Sequence, residues 1–315
     1  MSKTKIFFAS DLHGSERCWR KFLNSGRHFK ANVIVMGGDI TGKLIVPIVE
    51  QAGGVFSCKF HQAKMVHAGR ELEELEGAIK NMGYYPVKMS PEELRSFADP
   101  KLRDELFKEV MLTDLRRWLD IAEEKLKGTG IRCFISPGND DIWEVDEILK
   151  SQSVVEVPDG HRIVIDDEHE MIGVGWSTPT PWHTERECTE EAYAKKIDRL
   201  VTQVEHMGTA IFDFHCPPYG TGLDNAPALS DDLKAKTIMG QPDMQPVGSH
   251  AVRDAIQEYQ PLLGLHGHIH ESKGLVRLGR TLCVNPGSEY TEGVLCGSLL
   301  GLNGTKVEQY QLITG

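Results

Sequence analysis

Short apolar runs recur along the chain, and each of them ends in a small group of polar residues. The runs lie at residues 6–9, 33–36, 132–135, 210–214 and 262–265. Helical spacing of apolar residues follows the first run at 16–24. Continuous apolar strands that alternate with helices are typical of sheets covered by helices. The pattern therefore predicts an α/β fold.

The C-terminal half contains shorter apolar segments, which are typical of antiparallel strands. They lie at 154–157, 162–165, 171–174, 281–284, 298–302 and 307–312. Helical spacing predicts helices at 190–204 and 249–259. Residues 216–249 are rich in Pro, Gly and Asp and show little periodicity. This segment predicts a long ordered loop of the kind that often borders a binding site.

The segment between Asp39 and Gly138 has its own pattern. Residues 44–49 and 55–60 around Gly53-Gly54 predict a hairpin, and Pro47 is expected to put the first strand at a sheet edge. A capping box at 90–93 then predicts one long amphipathic helix. We expect a single domain over 1–315 with a hairpin-plus-helical insertion at about 43–128. The insertion either packs beside the polar groups or forms a contact between two copies of the chain.

Composition and charge narrow the classes of partner. The formal net charge is −11, which disfavours a nucleic-acid partner because phosphate contacts need clustered Lys and Arg. Seven cysteines without a C-x-x-C pair indicate reduced thiols. The N-terminal residues run directly into the first strand without a signal sequence, and no apolar stretch approaches the roughly 18 residues of a membrane span. We therefore expect a cytoplasmic protein without a membrane partner.

The polar groups at the strand ends contain the residue types that bind divalent metals. They are Asp11-Leu-His13, Gly37-Gly-Asp39, Gly138-Asn-Asp-Asp141, His215-Cys-Pro-Pro218 and Gly267-His-Ile-His270. Carboxylate and amide oxygens with imidazole nitrogens suit a pair of divalent cations. Open α/β sheets place their sites at the carboxyl ends of strands. The five groups therefore predict one shared metal site.

The order of these groups resembles the calcineurin-like metallophosphoesterase superfamily, from Asp11 to the Asn285-Pro-Gly-Ser288 segment. The resemblance implies a two-sheet α/β/β/α sandwich with a two-metal centre between strand ends. By motif, one metal would be held by Asp11, His13 and His270 and the other by Asn139, His215 and His268. Asp39, with its two oxygens, would bridge both metals. Such ligands admit Mn, Fe, Zn or Co.

The charge of such a centre indicates its substrate. Two divalent ions, two carboxylates and a bridging hydroxide sum to about +1, which matches a phosphate-ester anion. The resemblance implies a phosphodiesterase or phosphatase, in which the bridging hydroxide attacks the phosphorus of a small phosphodiester or phosphomonoester. A different class is a non-catalytic metal-binding scaffold or regulatory protein of the same fold.

One position departs from the family pattern. Many members read Gly-Asn-His-Asp or Gly-Asn-His-Glu, and that His assists the leaving group. This chain has Asp140 in the His position, between Asn139 and Asp141. An ordinary Asp is ionised at pH 7 and is a poor acid. We take Asp39, Asn139 and Asp140 as the catalytic candidates and expect Asp141 to support the site from behind.

Four further residues have open roles in the sequence. His266 either supports the ligands or points to the other face of its strand, and Tyr219 either stacks on a substrate ring or packs within its loop. Arg162 and Arg186 are candidate phosphate contacts that no local pattern singles out.

Overall fold

The computed structural model describes residues 3–230 and 232–315. The strands are β1 (Thr4–Ala9), β2 (Val33–Gly37), β3 (Ile45–Gln51), β4 (Val55–Phe60), β5 (Gln62–His67), β6 (Tyr85–Met89), β7 (Arg132–Ser136), β8 (Arg162–Val164), β9 (Glu170–Val174), β10 (Ala210–Phe214), β11 (Asn225–Pro227), β12 (Thr237–Ile238), β13 (Gln241–Pro242), β14 (Met244–Pro246), β15 (Leu263–Leu265), β16 (Gly274–Leu278), β17 (Thr281–Asn285), β18 (Cys296–Asn303) and β19 (Lys306–Thr314). The α-helices are α1 (Glu16–Phe29), α2 (Arg70–Asn81), α3 (Pro91–Ser96), α4 (Pro100–Leu126), α5 (Glu144–Lys150), α6 (Glu190–Val201) and α7 (His250–Tyr259). Within these ranges, none of the helices combines the length and the apolar character that a membrane span needs.

Two mixed sheets pack face to face. The first has the order β19-β18-β1-β2-β7 and the second the order β16-β17-β15-β10-β9-β8. Their facing sides share one buried cluster, in which Ile6 and Phe8 of β1 meet Ile211 of β10 and Leu263 of β15. Within each sheet the central strands run parallel, so their carboxyl ends meet along one edge. The polar groups that follow these strands are therefore brought together.

Helices cover the outer face of each sheet. Because strand side chains alternate between faces, Phe7 points away from Ile6 and Phe8 and packs among helices α1, α4 and α5. The second sheet buries Phe212 against Tyr193 of α6 and against α7. The layers are thus helix, sheet, sheet, helix, which confirms the predicted α/β/β/α sandwich.

The segment after Lys43 forms a third sheet with the order β5-β4-β3-β6. Strands β3 and β4 pair antiparallel where the hairpin is predicted, and α2 packs on the sheet through Leu75 and Ile79. The sequence pattern predicts neither β5 nor β6. Most side chains of β5 are exposed and Pro86 lies in β6, so both edge strands lack the apolar signal of a buried strand.

Three local expectations are wrong. Residues 154–157 form no strand, because only Glu156 pairs there, in an isolated bridge with Phe134. Pro47 does not put β3 at an edge, because β3 lies between β4 and β6. The ladder with β4 begins at Ile48, so the proline stands one residue outside that pairing. The long helix predicted after Ser90 is two helices: Ser90 caps α3 through the expected capping box, and Asp99 caps α4, which begins at Pro100. A proline at the first helical position and a capping carboxylate favour a new start there.

Candidate metal centre

The loops after β1 and β2 run side by side and carry three of the predicted ligands. The amide of Asp11 donates to the carbonyl of Gly38 at 3.0 Å, and the amide of His13 donates to the carbonyl of Asp39 at 2.9 Å. Asp11, His13 and Asp39 have φ values of 58°, 41° and 51°, and His268 has a φ of 66°. Left-handed backbone is uncommon for residues other than glycine, although Asp and His adopt it more often than most, and such residues tend to cluster at functional sites.

Asp11, His13 and His270 form the first half-site. One ligand atom from each lies within 4.8 Å of the other two. The Nε2 atoms of His13 and His270 are 3.0 Å apart, and Nε2 of His270 is 3.5 Å from Oδ1 of Asp11. Two nitrogens that each bind one cation at about 2.1 Å and at right angles would be about 3.0 Å apart. The spacing of the two rings therefore fits a shared cation.

Asn139, His215 and His268 form the second half-site. Nδ1 of His215 donates to the carbonyl of Gly37 at 2.8 Å, so the lone pair of the neutral form of this ring would lie on Nε2. That Nε2 lies 3.1 Å from Oδ1 of Asn139. The amide nitrogen of Asn139 donates to Oγ1 of Thr184 at 2.9 Å, which fixes the amide orientation. Two acceptors that face each other require a proton or a cation between them.

Asp39 lies between the two half-sites. Its Oδ2 is 3.7 Å from Nε2 of His13 and 3.4 Å from Nε2 of His215. Its Oδ1 accepts the backbone N–H of Asp140 at 2.9 Å. One oxygen of Asp39, rather than the two expected from the sequence, therefore faces both half-sites. All seven predicted ligands are gathered here, and their role in binding metal stays a prediction.

The shifted pKa values of the cluster indicate that its buried carboxylates favour a positive charge beside them. Burial and the carboxylate of Asp140 raise the pKa of Asp39 to about 6. Burial lowers the pKa of His215, but the opposite effect of the Asp39 carboxylate is larger, and the resulting pKa is about 10. Burial and His215 lower the pKa of His268 to about 3, so His268 is neutral and offers a lone pair. Without a cation, a proton on His215 supplies the charge that the buried carboxylates attract.

Two glycines are required by close approach. A side chain on Gly138 would meet Oδ1 of Asp39 at 2.1 Å, and one on Gly267 would meet Oδ2 of Asp11 at 2.4 Å. Real Cβ contacts are never this short, so any other residue would push the ligand carboxylates out of place.

Asp141 joins the loops that carry Asp39 and Asn139. Its carboxylate accepts the amides of Ile40 at 3.1 Å, Thr41 at 3.0 Å and Gly138 at 2.8 Å, and the hydroxyl of Thr41 at 2.7 Å. Asp141 is completely buried. It therefore supports the site from behind the ligands, as the sequence suggests.

Asp140 is paired with a residue that sequence reasoning missed. Nζ of Lys43 lies 2.7 Å from Oδ2 of Asp140, and Oδ1 of Asp140 accepts the amide N–H of Asn139 at 3.1 Å. One ligand atom of Asp140 also falls within 4.8 Å of those of His13 and Asp39. The only signal for Lys43 in the sequence is a basic residue four positions after Asp39.

The residues with open roles have structural partners elsewhere. Arg186 is buried and donates to the carbonyl of Asp141 at 2.9 Å, so it is not exposed to a phosphate. Arg162 pairs with Glu170 and Glu205 at the far edge of the second sheet. The ring of Tyr219 stacks on that of His250 with centroids 3.9 Å apart, which is a packing role. Nδ1 of His266 bonds the carbonyl of Phe214 at 2.8 Å, behind the cluster.

A cavity of about 960 Å³ opens onto this cluster. Asp39, Asn139, His268 and His270 form its floor. The insertion contributes Lys43, Phe107 and Met111, while the remaining lining comes from residues 178–184, 226–247 and their neighbours. The loop expected at 216–249 therefore borders the site, and the insertion packs beside it.

Comparisons with known proteins bear on the fold. No protein-family model matches the chain. An uncharacterized protein of Methanocaldococcus jannaschii is 30% identical over 152 residues, which is 48% of this chain and 61% of that protein. The match thus spans about three fifths of the length of this relative.

Two solved structures align with nearly the whole chain. A crystal structure from Thermus thermophilus has a TM-score of 0.54 and 16% identity, with 100% of this chain and 99% of that chain covered. An archaeal phosphodiesterase has a TM-score of 0.39 and 11% identity, with 99% and 100% covered, a likeness too low to support an inference. The likeness to the Thermus thermophilus structure shows a shared fold.

Proposed function

We propose that this protein is a dinuclear metal-dependent phosphoesterase that hydrolyses a small phosphodiester or phosphomonoester. The proposal rests on one observation: Oδ2 of Asp39 faces two groups of ligand atoms, one around His13 and one around His215. The donor atoms are carboxylate oxygens, an amide oxygen and imidazole nitrogens, which suit Mn, Fe, Zn or Co. When bound, the cations would supply an activated water and positive charge beside the phosphoryl oxygens.

The chain itself positions the substrate anion. His268 and His270 line the cavity floor, and Lys43 adds an ammonium group at its side. Asp140 holds that ammonium at 2.7 Å and is itself bonded to Asn139, so the cation of Lys43 is fixed beside the ligands. A phosphate entering the cavity would thus meet a preorganised donor that needs no rearrangement.

The same pair defines how the leaving group is handled. Burial lowers the pKa of Lys43, but the carboxylates of Asp140 and Asp39 raise it to a higher value overall. Lys43 therefore stays charged and acts as a hydrogen-bond donor rather than as a proton donor. An enzyme of this kind should hydrolyse esters with good leaving groups much faster than those with poor ones.

A second candidate function is a non-catalytic metal-binding scaffold of the same fold. The observation in its favour is that Asp140, rather than a histidine, stands beside Asn139. Such a protein would bind metals in the cluster and hydrolyse no ester.

One assay separates these functions. Purified protein reconstituted with Mn²⁺ should hydrolyse bis-(p-nitrophenyl) phosphate or p-nitrophenyl phosphate, and Asp39→Asn should remove turnover. Asp104→Asn is the matched control, because Asp104 is an exposed carboxylate on α4. Two bound Mn²⁺ ions by calorimetry without hydrolysis of either ester would refute the enzyme and favour the scaffold.

A further inference from the structure

We infer that the cavity selects phosphate esters whose organic group is bulky, uncharged, and apolar or aromatic. The inference rests on the phosphoesterase function proposed above and names its substrate class. It is carried by three properties of the cavity: its size, its apolar lining and its scarcity of cations.

The cavity is far larger than a phosphoryl group. Its volume is about 960 Å³, near the upper end of the roughly 300–1,000 Å³ typical of small-molecule sites. Only the floor around Asp39 and His270 belongs to the metal-ligand cluster. The rest of the space is therefore open to the organic part of an ester.

Apolar side chains from separate parts of the chain line that space. The insertion gives Phe107 and Met111, and the loop 178–184 gives Pro179, Pro181 and Trp182. Further apolar residues are Ile142, Leu229, Leu233, Val247 and Ile269. Uncharged polar residues of the lining are Thr178, Thr180, Thr184 and Gln245. This composition is that of a site for an apolar ligand with a few orienting polar groups.

The charges of the lining argue against a polyanionic organic group. Among the described residues, Lys43 is the only Lys or Arg that lines the cavity, and it is already paired with Asp140. Glu271 adds a further carboxylate to the lining. A nucleoside polyphosphate would bring negative charges beyond the one phosphate held at the cluster, and no further Lys or Arg among the described lining residues would receive them, which opposes binding.

Trp182 marks where the organic group would lie. Its side chain lines the cavity and yet 64% of the residue surface is exposed, and Leu233, also in the lining, is 49% exposed. Both side chains would lose contact with water when an apolar group covers them, which favours binding. An indole ring also stacks on aromatic ligands.

The direct test measures binding rather than turnover. With Mn²⁺-loaded protein, the affinities of methylphosphonate and of 1-naphthylphosphonate are measured by calorimetry, together with the quenching of tryptophan fluorescence. We expect naphthylphosphonate to bind at least about tenfold more tightly, because its ring covers Trp182 and contacts the apolar lining. Trp182→Ala should remove most of this preference and leave methylphosphonate binding unchanged.

Two further variants complete the design. Phe107→Ala, on the insertion side of the cavity, should also reduce the preference for the naphthyl compound. Tyr310→Ala is the matched control, because Tyr310 is an exposed aromatic residue on β19 outside the cavity and should have no effect.

The outcomes distinguish this inference from the proposed function. Equal affinities of the two phosphonates, tighter binding of a non-hydrolysable adenosine triphosphate analogue, or an unchanged preference in both Trp182→Ala and Phe107→Ala would overturn the inference. Hydrolysis of activated esters without any size preference would keep the enzyme and reject the apolar site. A size preference in binding without hydrolysis of any ester would support the apolar site and reject the enzyme.

Discussion

Lys43 and Asp140 form an ion pair beside the candidate metal cluster, with 2.7 Å between Nζ and Oδ2. Asp140 stands where the motif of the resembling family has a histidine, and Lys43 precedes the first strand of the insertion, β3. The structure therefore shows that Asp140, which departs from the family motif, has an ion-pair partner.

Removal of the Lys43 ammonium should weaken substrate binding. Lys43→Met is expected to raise the KM for an aryl phosphate about tenfold, because the phosphate loses one charged donor, whereas Lys43→Arg should restore part of the affinity. Steady-state kinetics at two salt concentrations would show a smaller salt effect in Lys43→Met. Lys88→Met is the control, since Lys88 of β6 pairs with Glu76 of α2. An unchanged KM would exclude Lys43 from substrate binding.

A residue at position 140 that can donate a proton should change how turnover depends on the leaving group. Asp140→His is expected to increase turnover of alkyl esters more than that of p-nitrophenyl esters, because only poor leaving groups need a proton. The measurement is the slope of log kcat against leaving-group pKa. The same gain for both ester classes would mean that residue 140 lies outside the path of the proton.

Metal binding should stabilise the fold through both half-sites. Mn²⁺ at about 100 times its Kd is expected to add about 2.7 kcal/mol per occupied half-site to the free energy of unfolding, measured as a rise in Tm. His13→Ala and His215→Ala should each reduce this rise and the number of bound ions. His67→Ala, at an exposed histidine of β5, should keep the full rise. Loss of both ions in one variant and none in the other would contradict two half-sites.

Arg186 should be critical for stability rather than for substrate contact. Its guanidinium donates to the carbonyls of Asp141 and Ile142 at 2.9 and 3.1 Å and to Asp146 at 2.6 Å. Arg186→Met would leave these acceptors unpaired in a buried place and is expected to cost about 3 kcal/mol in urea unfolding. Arg70→Met, which breaks an exposed pair, should leave the midpoint unchanged. A midpoint shift equal to that of Arg70→Met would refute this role.

Glu170 should make stability depend on pH at the acidic end. Burial raises the pKa of Glu170, but hydrogen bonds from the amide of His206 and from Arg162 have a larger, opposite effect. The resulting pKa is below the ordinary value of 4.5. The folded state thus favours the ionised form, so this contribution is present above pH 4.5 and is lost as the pH falls through the folded pKa.

The variant Glu170→Gln tests this linkage. It should lose about 2 kcal/mol at pH 7, because charged hydrogen bonds become neutral ones. The difference from the wild-type protein should shrink as the pH falls below 4.5. Glu105→Gln removes an exposed carboxylate and is the control. A difference that stays constant down to pH 3 would contradict the lowered pKa.

The ligand cluster could be predicted because it depends on strand order and strand ends. Asp11, Asp39, Asn139 and His215 each follow an apolar run, and parallel strands bring those ends to one edge of the sandwich. Lys43 could not be predicted, because its contact with Asp140 depends on the path of an insertion without a motif. Strand β5 could not be predicted either, since most of its side chains face water and show no alternation of buried and exposed positions.

The backbone strain of the ligands was also beyond sequence reasoning. Asp and His adopt a left-handed conformation more often than most residues, but few of those in a chain do so, and only the structure shows the positive φ of Asp11 and His268. The contacts of Arg186 could not be predicted either, because its hydrogen bonds join residues 40 to 45 positions apart.

Helix α4 both lines the cavity and packs in the hydrophobic core. At one end Phe107 and Met111 line the cavity, and further along Trp118 stacks on Trp19 of α1 with ring centroids 5.0 Å apart. A substitution that shifts the helix within the core would therefore also move one wall of the cavity. In evolutionary terms, the shape of the cavity in this protein can drift through mutations that repack the interior, while every candidate ligand stays the same.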